Sequence, residues 1–242
     1  AGIAATAFPS NGYHVTNWTG SITTTNNPLI LTMTQAYNLT ANFAINLYDI
    51  TSSNGPNGTV SPLGTIWVPH GANTNILINP NANFHIQDLA VNGGPQTPTN
   101  NYSFVNVTNG GQTLFATFAI DSNTLTVASA YSTPVPSGTT WQAYGTVVTC
   151  TVPGTVANGS TQYVCTGWAG AGSVPVSGTT NIVIASITNT STLTWNWKTQ
   201  YLFSATAGPN GAVIATNGWY DLGVAGIAAT AFPSNGYHVT NW

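Results

Sequence analysis

Enzyme chemistry usually starts from side chains that ionise, and this sequence has few of them. Its 242 residues include no Glu, no Arg, one Lys (Lys198), four Asp (Asp49, Asp88, Asp121, Asp221) and two Cys. General acid–base catalysis needs a positioned pair of ionisable groups, and the carboxylates here are dispersed. A sugar-hydrolysing pair would have to be assembled from Asp residues far apart in sequence, and there is no Gly-x-Ser-x-Gly nucleophile elbow. His14, His70 and His85 occur one per context, with His238 repeating His14, and none has a His at ligand spacing. Each reads as a strand or turn residue. Asp49 and Asp121 both fall just inside the start of a repeating unit, but a calcium ion wants several carboxylates together and would find one. The expectation is a protein that is not an enzyme, with no catalytic residue, metal or cofactor.

Three other residue types could bind or crosslink. Cys150 and Cys165 occur in Val-Val-Thr-Cys-Thr-Val and Tyr-Val-Cys-Thr-Gly-Trp. Comparison between internal repeats puts them on consecutive strands, where Thr6 and Val15 stand in another unit. Neighbouring strands bring side chains close enough to bridge, so a disulfide is predicted, contributing on the order of 3 kcal/mol by loop closure. It would place the protein outside the cytosol. The other reading is a pair of buried free thiols. Trp67, Trp141, Trp195, Trp197 and Trp219 are more than small β-cores need, and exposed Trp faces suit sugar rings. Trp195 and Trp197 share one face of their strand by period two and, with Trp219, are candidate glycan contacts. Packing between units or between protofilaments is the other reading. Asn17, Asn38, Asn57, Asn101, Asn106, Asn158 and Asn189 each begin an Asn-x-Ser/Thr sequon. Chance supplies about that many in so Asn- and Thr-rich a chain. Lys198 reads as an exposed boundary lysine. A covalent Lys–Asn link would also need a nearby acid.

The elements that carry these residues are repetitive. Ala1–Trp18 recurs letter for letter as Ala225–Trp242, a period of 224 residues. This suggests one period plus an overlap from something longer that repeats head to tail. A weaker repetition lies inside the period. Gly-Pro-Asn-Gly-x-Val occurs at Gly55–Val60 and Gly208–Val213; Tyr13, Trp18 and Gly20 share their spacing with Tyr163, Trp168 and Gly170. Leu39-Thr-Ala-Asn-Phe43, Leu114-Phe-Ala-Thr-Phe118 and Leu193-Thr-Trp-Asn-Trp197 end three segments alike. Taking these endings as boundaries gives units at 45–119 and 120–198 and a third that is split. Its first part is 199–224, with 225–242 repeating 1–18, and its second is 1–44. About three small domains then fill the period without remainder.

Each unit reads as β-structure. Thr, Val, Ile, Tyr and Trp come in short runs punctuated by Gly, Pro and Asn, and no stretch has a capped helical period. In the split unit Gly2–Phe8, Gly12–Trp18, Pro28–Thr34 and Tyr37–Phe43 are candidate strands. The fold class is all-β: tandem small β-domains in a head-to-tail array, with Tyr13, Trp18 and Gly20 and their counterparts Tyr163, Trp168 and Gly170 as a structural core motif.

Composition limits the function. Charged residues are 2% of the chain, against roughly 25% in ordinary soluble domains. A single Lys cannot neutralise a phosphate backbone, which disfavours nucleic acid. No apolar run approaches the roughly 20 residues of a membrane span. The 42% hydrophobic share is ordinary, so a core forms and the surface is left to Thr, Asn, Ser and Gly. Such a surface has little charge to keep copies apart.

The run Pro9-Ser-Asn-Gly-Tyr-x4-Trp18-x-Gly20, then Asn27-Pro-Leu-Ile-Leu-Thr-Met33 and Leu39-Thr-Ala-Asn-Phe43, resembles the second half of a divergent internalin-type B repeat. Gly208–Val213 and Gly223 resemble its first half. The likeness is weaker over 120–198 and weakest over 45–119, where Phe84 and Leu89 stand in the places of Tyr and Trp. It implies a module of secreted or surface-anchored proteins, used in tandem as stalk or adhesive spacer. The expectation is a structural repeat of an extracellular filament, sheath or cell-surface stalk. Its partners would be copies of itself, head to tail and laterally. The alternative is a carbohydrate-binding adhesin that presents tryptophans to glycans.

Overall fold

The computed structural model describes residues 2–242; Ala1, the first residue of the repeat, lies outside them. It is all-β: 59% strand and, among the described residues, no helix, in several small sheets none of which closes into a barrel. The chain divides into two compact units, Ala1–Ile120 and Asp121–Trp242.

The first unit opens with β1 (Ile3–Ala5), β2 (Tyr13–Gly20), β3 (Leu29–Leu31) and β4 (Leu39–Ile45). β1 pairs with β3 and β2 with β4, both antiparallel. All four expected strands are present. Those expected at Gly2–Phe8 and Pro28–Thr34 are shorter than their sequence pattern, since a two-stranded ribbon is marginal without further neighbours. Trp18, Leu29 and Ala7 make a small core with Val15, Ile22 and Leu39 around them.

A complete sandwich follows: β5 (Leu47–Asn54), β6 (Gly58–Ser61), β7 (Gly64–Pro69), β8 (Thr74–Pro80), β9 (Phe84–Val91), β10 (Gly94–Gln96), β11 (Asn101–Phe104) and β12 (Gln112–Ile120). The larger sheet runs β10-β9-β12-β5-β7 and the smaller β11-β8-β6. Ile50, Leu89 and Leu114 from the larger share one core with Val60, Ile76 and Ile78 from the smaller. Along β8 the alternation is clean: Ile76 and Ile78 are buried and Leu77 is exposed, as period two requires. First and last strands lie side by side and parallel, from Gln112 opposite Ile50 to Ala116 opposite Asn54.

The second unit repeats this plan with β13 (Ser122–Ala128), β14 (Gly138–Ala143), β15 (Thr146–Thr151), β16 (Thr155–Asn158), β17 (Thr161–Ala171), β18 (Ser177–Gly178), β19 (Ile182–Ile187) and β20 (Ser191–Phe203). The larger sheet again runs from β14 through β13 and β20 to β17, which carries β16 and β18. β15 and β19 form the second layer, where a Val135–Thr151 bridge stands in for β6. β13 and β20 are parallel, Leu193 lying opposite Val127. β20 then continues beyond the sandwich. β21 (Gly211–Ala215), β22 (Gly218–Asp221) and β23 (Ala229–Pro233) follow, β22 pairing with Gln200–Phe203 and β21 with β23.

Two details recur three times. The strand paired antiparallel to the last one carries a one-residue bulge: Thr16 in β2, Gln87 in β9 and Thr166 in β17. A bulge re-aims the residues after it. Two positions on, Trp18, Leu89 and Trp168 turn inward, 8%, 1% and 8% exposed. The second detail is a seam. The carbonyls of Asn46, Asp121 and Thr199 accept the backbone N–H of His70, Tyr144 and Leu222 at 2.9, 2.8 and 2.9 Å. Each ties the start of a unit to the residue just after the strand that pairs with its first one, β7, β14 and β22.

Candidate interaction surfaces

The residues with catalytic potential stay apart. His14 Nδ1 lies 2.8 Å from Asn46 Oδ1, and His70 Nδ1 3.4 Å from the Tyr48 hydroxyl. Asp49 Oδ1 accepts the Gly111 backbone N–H at 2.9 Å, and Asp88 Oδ2 accepts the Thr117 hydroxyl at 3.2 Å. Among the described residues no group of three or more His, Cys, Asp or Glu gathers. Lys198 is less solitary than expected. Its Nζ lies 2.8 Å from Asp221 Oδ1 and 2.9 Å from Oδ2, and Gln200 Nε2 donates to Oδ1 at 2.7 Å. Hydrogen bonds from Lys198 and then Gln200 hold the Asp221 carboxyl below its usual range.

The expected disulfide is corrected. Cys150 and Cys165 are free thiols. The two strands are not neighbours in one sheet: Cys150 pairs across β15–β19 with Val183, and Cys165 across β17–β20 with Trp197. They belong to opposite layers of the sandwich. Cys150 is buried, which pushes its pKa up. The Cys165 thiol donates to the Gly167 carbonyl at 3.7 Å.

The core motif is realised unevenly. Trp168 Nε1 donates to the Pro175 carbonyl at 3.2 Å, while Trp18 Nε1 is buried without a hydrogen-bond partner among the described residues. Gly20 (φ 115°) passes so close to the Asn38 carbonyl that a Cβ would lie 2.1 Å from it, and a Cβ on Gly170 would meet the Pro175 carbonyl at 2.3 Å. Tyr163 stacks flat on Tyr131. Tyr13, expected in the core, is 45% exposed: it is the first residue of β2, and its half-unit has no such partner ring.

Two of the three glycan candidates are also corrected. Trp195 is 2% exposed, and Trp197 packs on the same core with its Nε1 donating to Ser129 Oγ at 3.1 Å. The shared face was read rightly, but it is the inner one. Trp219 is half-buried on β22. Within the two complete sandwiches the tryptophans that stand out are Trp67 at 65% and Trp141 at 73% exposure. They hold equivalent places on β7 and β14, opposite Asp49 and Thr124. Two residues earlier on each strand a threonine pairs hydroxyls across to its neighbour, Thr65 with Thr51 at 2.8 Å and Thr139 with Thr126 at 2.9 Å. The sequence carried a signal for this in Gly-Thr-x-Trp, which occurs at Gly64–Trp67 and Gly138–Trp141. The sequon residues Asn38, Asn57, Asn101, Asn106, Asn158 and Asn189 are exposed, whereas Asn17 is half-buried and accepts a hydrogen bond from Asn42.

Residues 1–47, which span β1 to β4, match the family described as the divergent InlB B-repeat domain. That family is associated with bacterial cell-surface proteins. No curated protein and no solved structure matches the chain.

Proposed function

We propose that the chain is a structural repeat of an extracellular filament, sheath or cell-surface stalk, assembled head to tail. One observation carries this reading: the same parallel-closed sandwich recurs at Leu47–Ile120 and Ser122–Phe203, inside a sequence with a 224-residue period. Such modules bury their own cores and present an almost uncharged, Thr- and Asn-rich surface, which favours association between copies. A head-to-tail contact that does not close on itself generates a fibre. The surface-protein family matched by residues 1–47 supports the location. Nothing in the reading calls for a cofactor or a reaction. The test is electron microscopy of the purified chain at increasing concentration. Linear particles are expected. Monodisperse globular particles at every concentration would end the reading.

A second reading has its own observation. Trp67 and Trp141 present bare indole faces beside paired threonine hydroxyls, a surface suited to the apolar faces and hydroxyls of a neutral sugar. This is the adhesin alternative, moved from Trp195 and Trp197 to the exposed pair. Binding to a neutral polysaccharide that is lost in Trp67→Ala/Trp141→Ala would favour it. A blank glycan array would remove it.

A further inference from the structure

The small layers of the two complete sandwiches differ at one edge. In the second, β15 and β19 form a two-stranded sheet, so the far side of β19 has no strand beside it among the described residues. This strand lies well inside the sandwich, between β18 and β20. The Asn181 carbonyl accepts the Val152 N–H at 3.1 Å. By antiparallel alternation, Val183, Ala185 and Ile187 exchange backbone bonds with β15, and Ile182, Ile184 and Ser186 aim their N–H and C=O groups at the open side. The Val183 and Ala185 side chains face the core. Those of Ile182 and Ile184 stand on the outer face, 46% and 61% exposed, with Val147 of β15 at 66%.

Proteins protect such edges with charged side chains, proline or a bulge. β19 reads Ile-Val-Ile-Ala-Ser-Ile and pairs with β15 without a register shift, so it has none of the three. The first sandwich gives the contrast. There the Asn100 carbonyl accepts the Ile78 N–H at 2.8 Å, and the same alternation turns Asn101 and Ser103 of β11 to the open edge. The Thr99 hydroxyl donates to the Asn101 carbonyl at 3.2 Å as that of Thr180 does to Ile182 at 2.7 Å, which fixes the equivalence. Two polar residues thus hold the places of Ile182 and Ile184.

Charge says what fits the apolar edge. Residues 122–197, from β13 to Trp197 of β20, contain no Asp, Glu, Lys, Arg or His. A charged partner gains nothing there, and a second copy meets no repulsion. The edge is also complementary to itself. Turned about a two-fold axis at Ile184, it lays Ile184 opposite Ile184 of the other copy and Ile182 opposite Ser186. Every one of these pairs uses the outward-aimed groups, and the Ile182 carbonyl, with two lone pairs, keeps its Thr180 bond.

We propose that β19 of one copy of this chain pairs antiparallel with β19 of a second copy, joining their small layers into one sheet in the order β15-β19-β19-β15. The contact is isologous and is made by strand addition. It is lateral, so it goes beyond head-to-tail assembly and rests on that reading only for its repetition. One such joint is small for a stable interface, but two arrays that repeat it once per period hold many at once.

Cysteine trapping in the full chain, with Cys150→Ala and Cys165→Ala, tests the register. Opposed residues of a hydrogen-bonded antiparallel pair have Cα atoms about 5.5 Å apart, within disulfide reach. Oxidised Ile184→Cys is expected to give a covalent dimer at twice the 25.1 kDa chain on a non-reducing denaturing gel. Ile182→Cys alone and Ser186→Cys alone should stay monomeric, because each faces the other position; an equimolar mixture of the two should dimerise. Equal dimer yields from all three single variants would show random collision and overturn the proposal. So would an Ile184→Cys thiol that stays free to alkylation while amide exchange shows Val183 and Ala185 still protected. In-register dimers without linear particles would leave this contact standing and remove the filament reading; linear particles with the Ile184→Cys thiol still free would do the reverse.

Discussion

Trp168 and Trp195 face each other across β17 and β20, their rings edge to face with centroids 5.9 Å apart and planes at 75°. The equivalent pairs are Trp18 with Ala41 and Leu89 with Ala116. One site beneath the bulge is thus filled three ways, by two large rings, a large ring with a small partner, and an aliphatic with a small partner. Only the Trp–Trp pair adds an aromatic contact to its area burial.

Truncating these anchors should be costly. Trp168→Ala and Trp18→Ala are each expected to cost about 3 to 5 kcal/mol, most of the stability of a small sandwich. Urea unfolding followed by far-ultraviolet dichroism checks this. A loss below about 1 kcal/mol would mean that the indole is not a core element.

The two thiols should behave independently. Alkylation of the unfolded chain without reductant is expected to label both Cys150 and Cys165. In the native chain Cys150 should label the more slowly, since it is buried and its pKa is raised. Recovery of a linked Cys150–Cys165 peptide would contradict the free-thiol structure.

The Lys198–Asp221 pair gives a pH prediction. The folded Asp221 pKa is lowered from 3.8, so what it adds to stability is present above that value and lost as pH falls through the lowered one. Lys198→Met should move the Asp221 titration upward, read by carboxyl ¹³C shifts. The side chains are exposed, so salt should weaken the effect. An unmoved titration would show that the ion pair does not persist in solution.

Gly20→Ala should disrupt the first half-unit. A Cβ there meets the Asn38 carbonyl at 2.1 Å, and the φ of 115° is one that L side chains rarely adopt. The cost is expected to be about 2 kcal/mol or more. Gly208→Ala, where a Cβ has open space, serves as the comparison and should fall within about 0.5 kcal/mol of the parent. Equal losses in the two variants would refute the close approach.

Much of the fold was legible because period-two alternation and Gly-Pro-Asn punctuation are local signals. Leu39–Phe43 and Leu193–Trp197 could be read as strands with Leu39 and Leu193 on equivalent sites. The second layer was harder. Cys150 and Cys165 are close in sequence, and nothing local says that β15 leaves the sheet containing β17 to pair with β19. The wrong disulfide partnership came from that. For Trp195 and Trp197 the alternation gave the shared face but not its direction, because a Thr- and Asn-rich chain marks its outer face weakly. Trp67 and Trp141 were readable as a repeated Gly-Thr-x-Trp, yet their exposure depends on lying in edge strands, which only the topology reveals.

The side-by-side, parallel first and last strands have a mechanical consequence. In each sandwich the chain enters at one end of the first strand and leaves at the far end of the last, β5 with β12 and β13 with β20. Tension along the chain therefore pulls these two strands lengthwise past each other. The hydrogen bonds between them are loaded together, in shear, and cannot open one after another like a zipper. A row of such modules would resist stretching up to a threshold and then give way one module at a time, as a tether under wind or flow must.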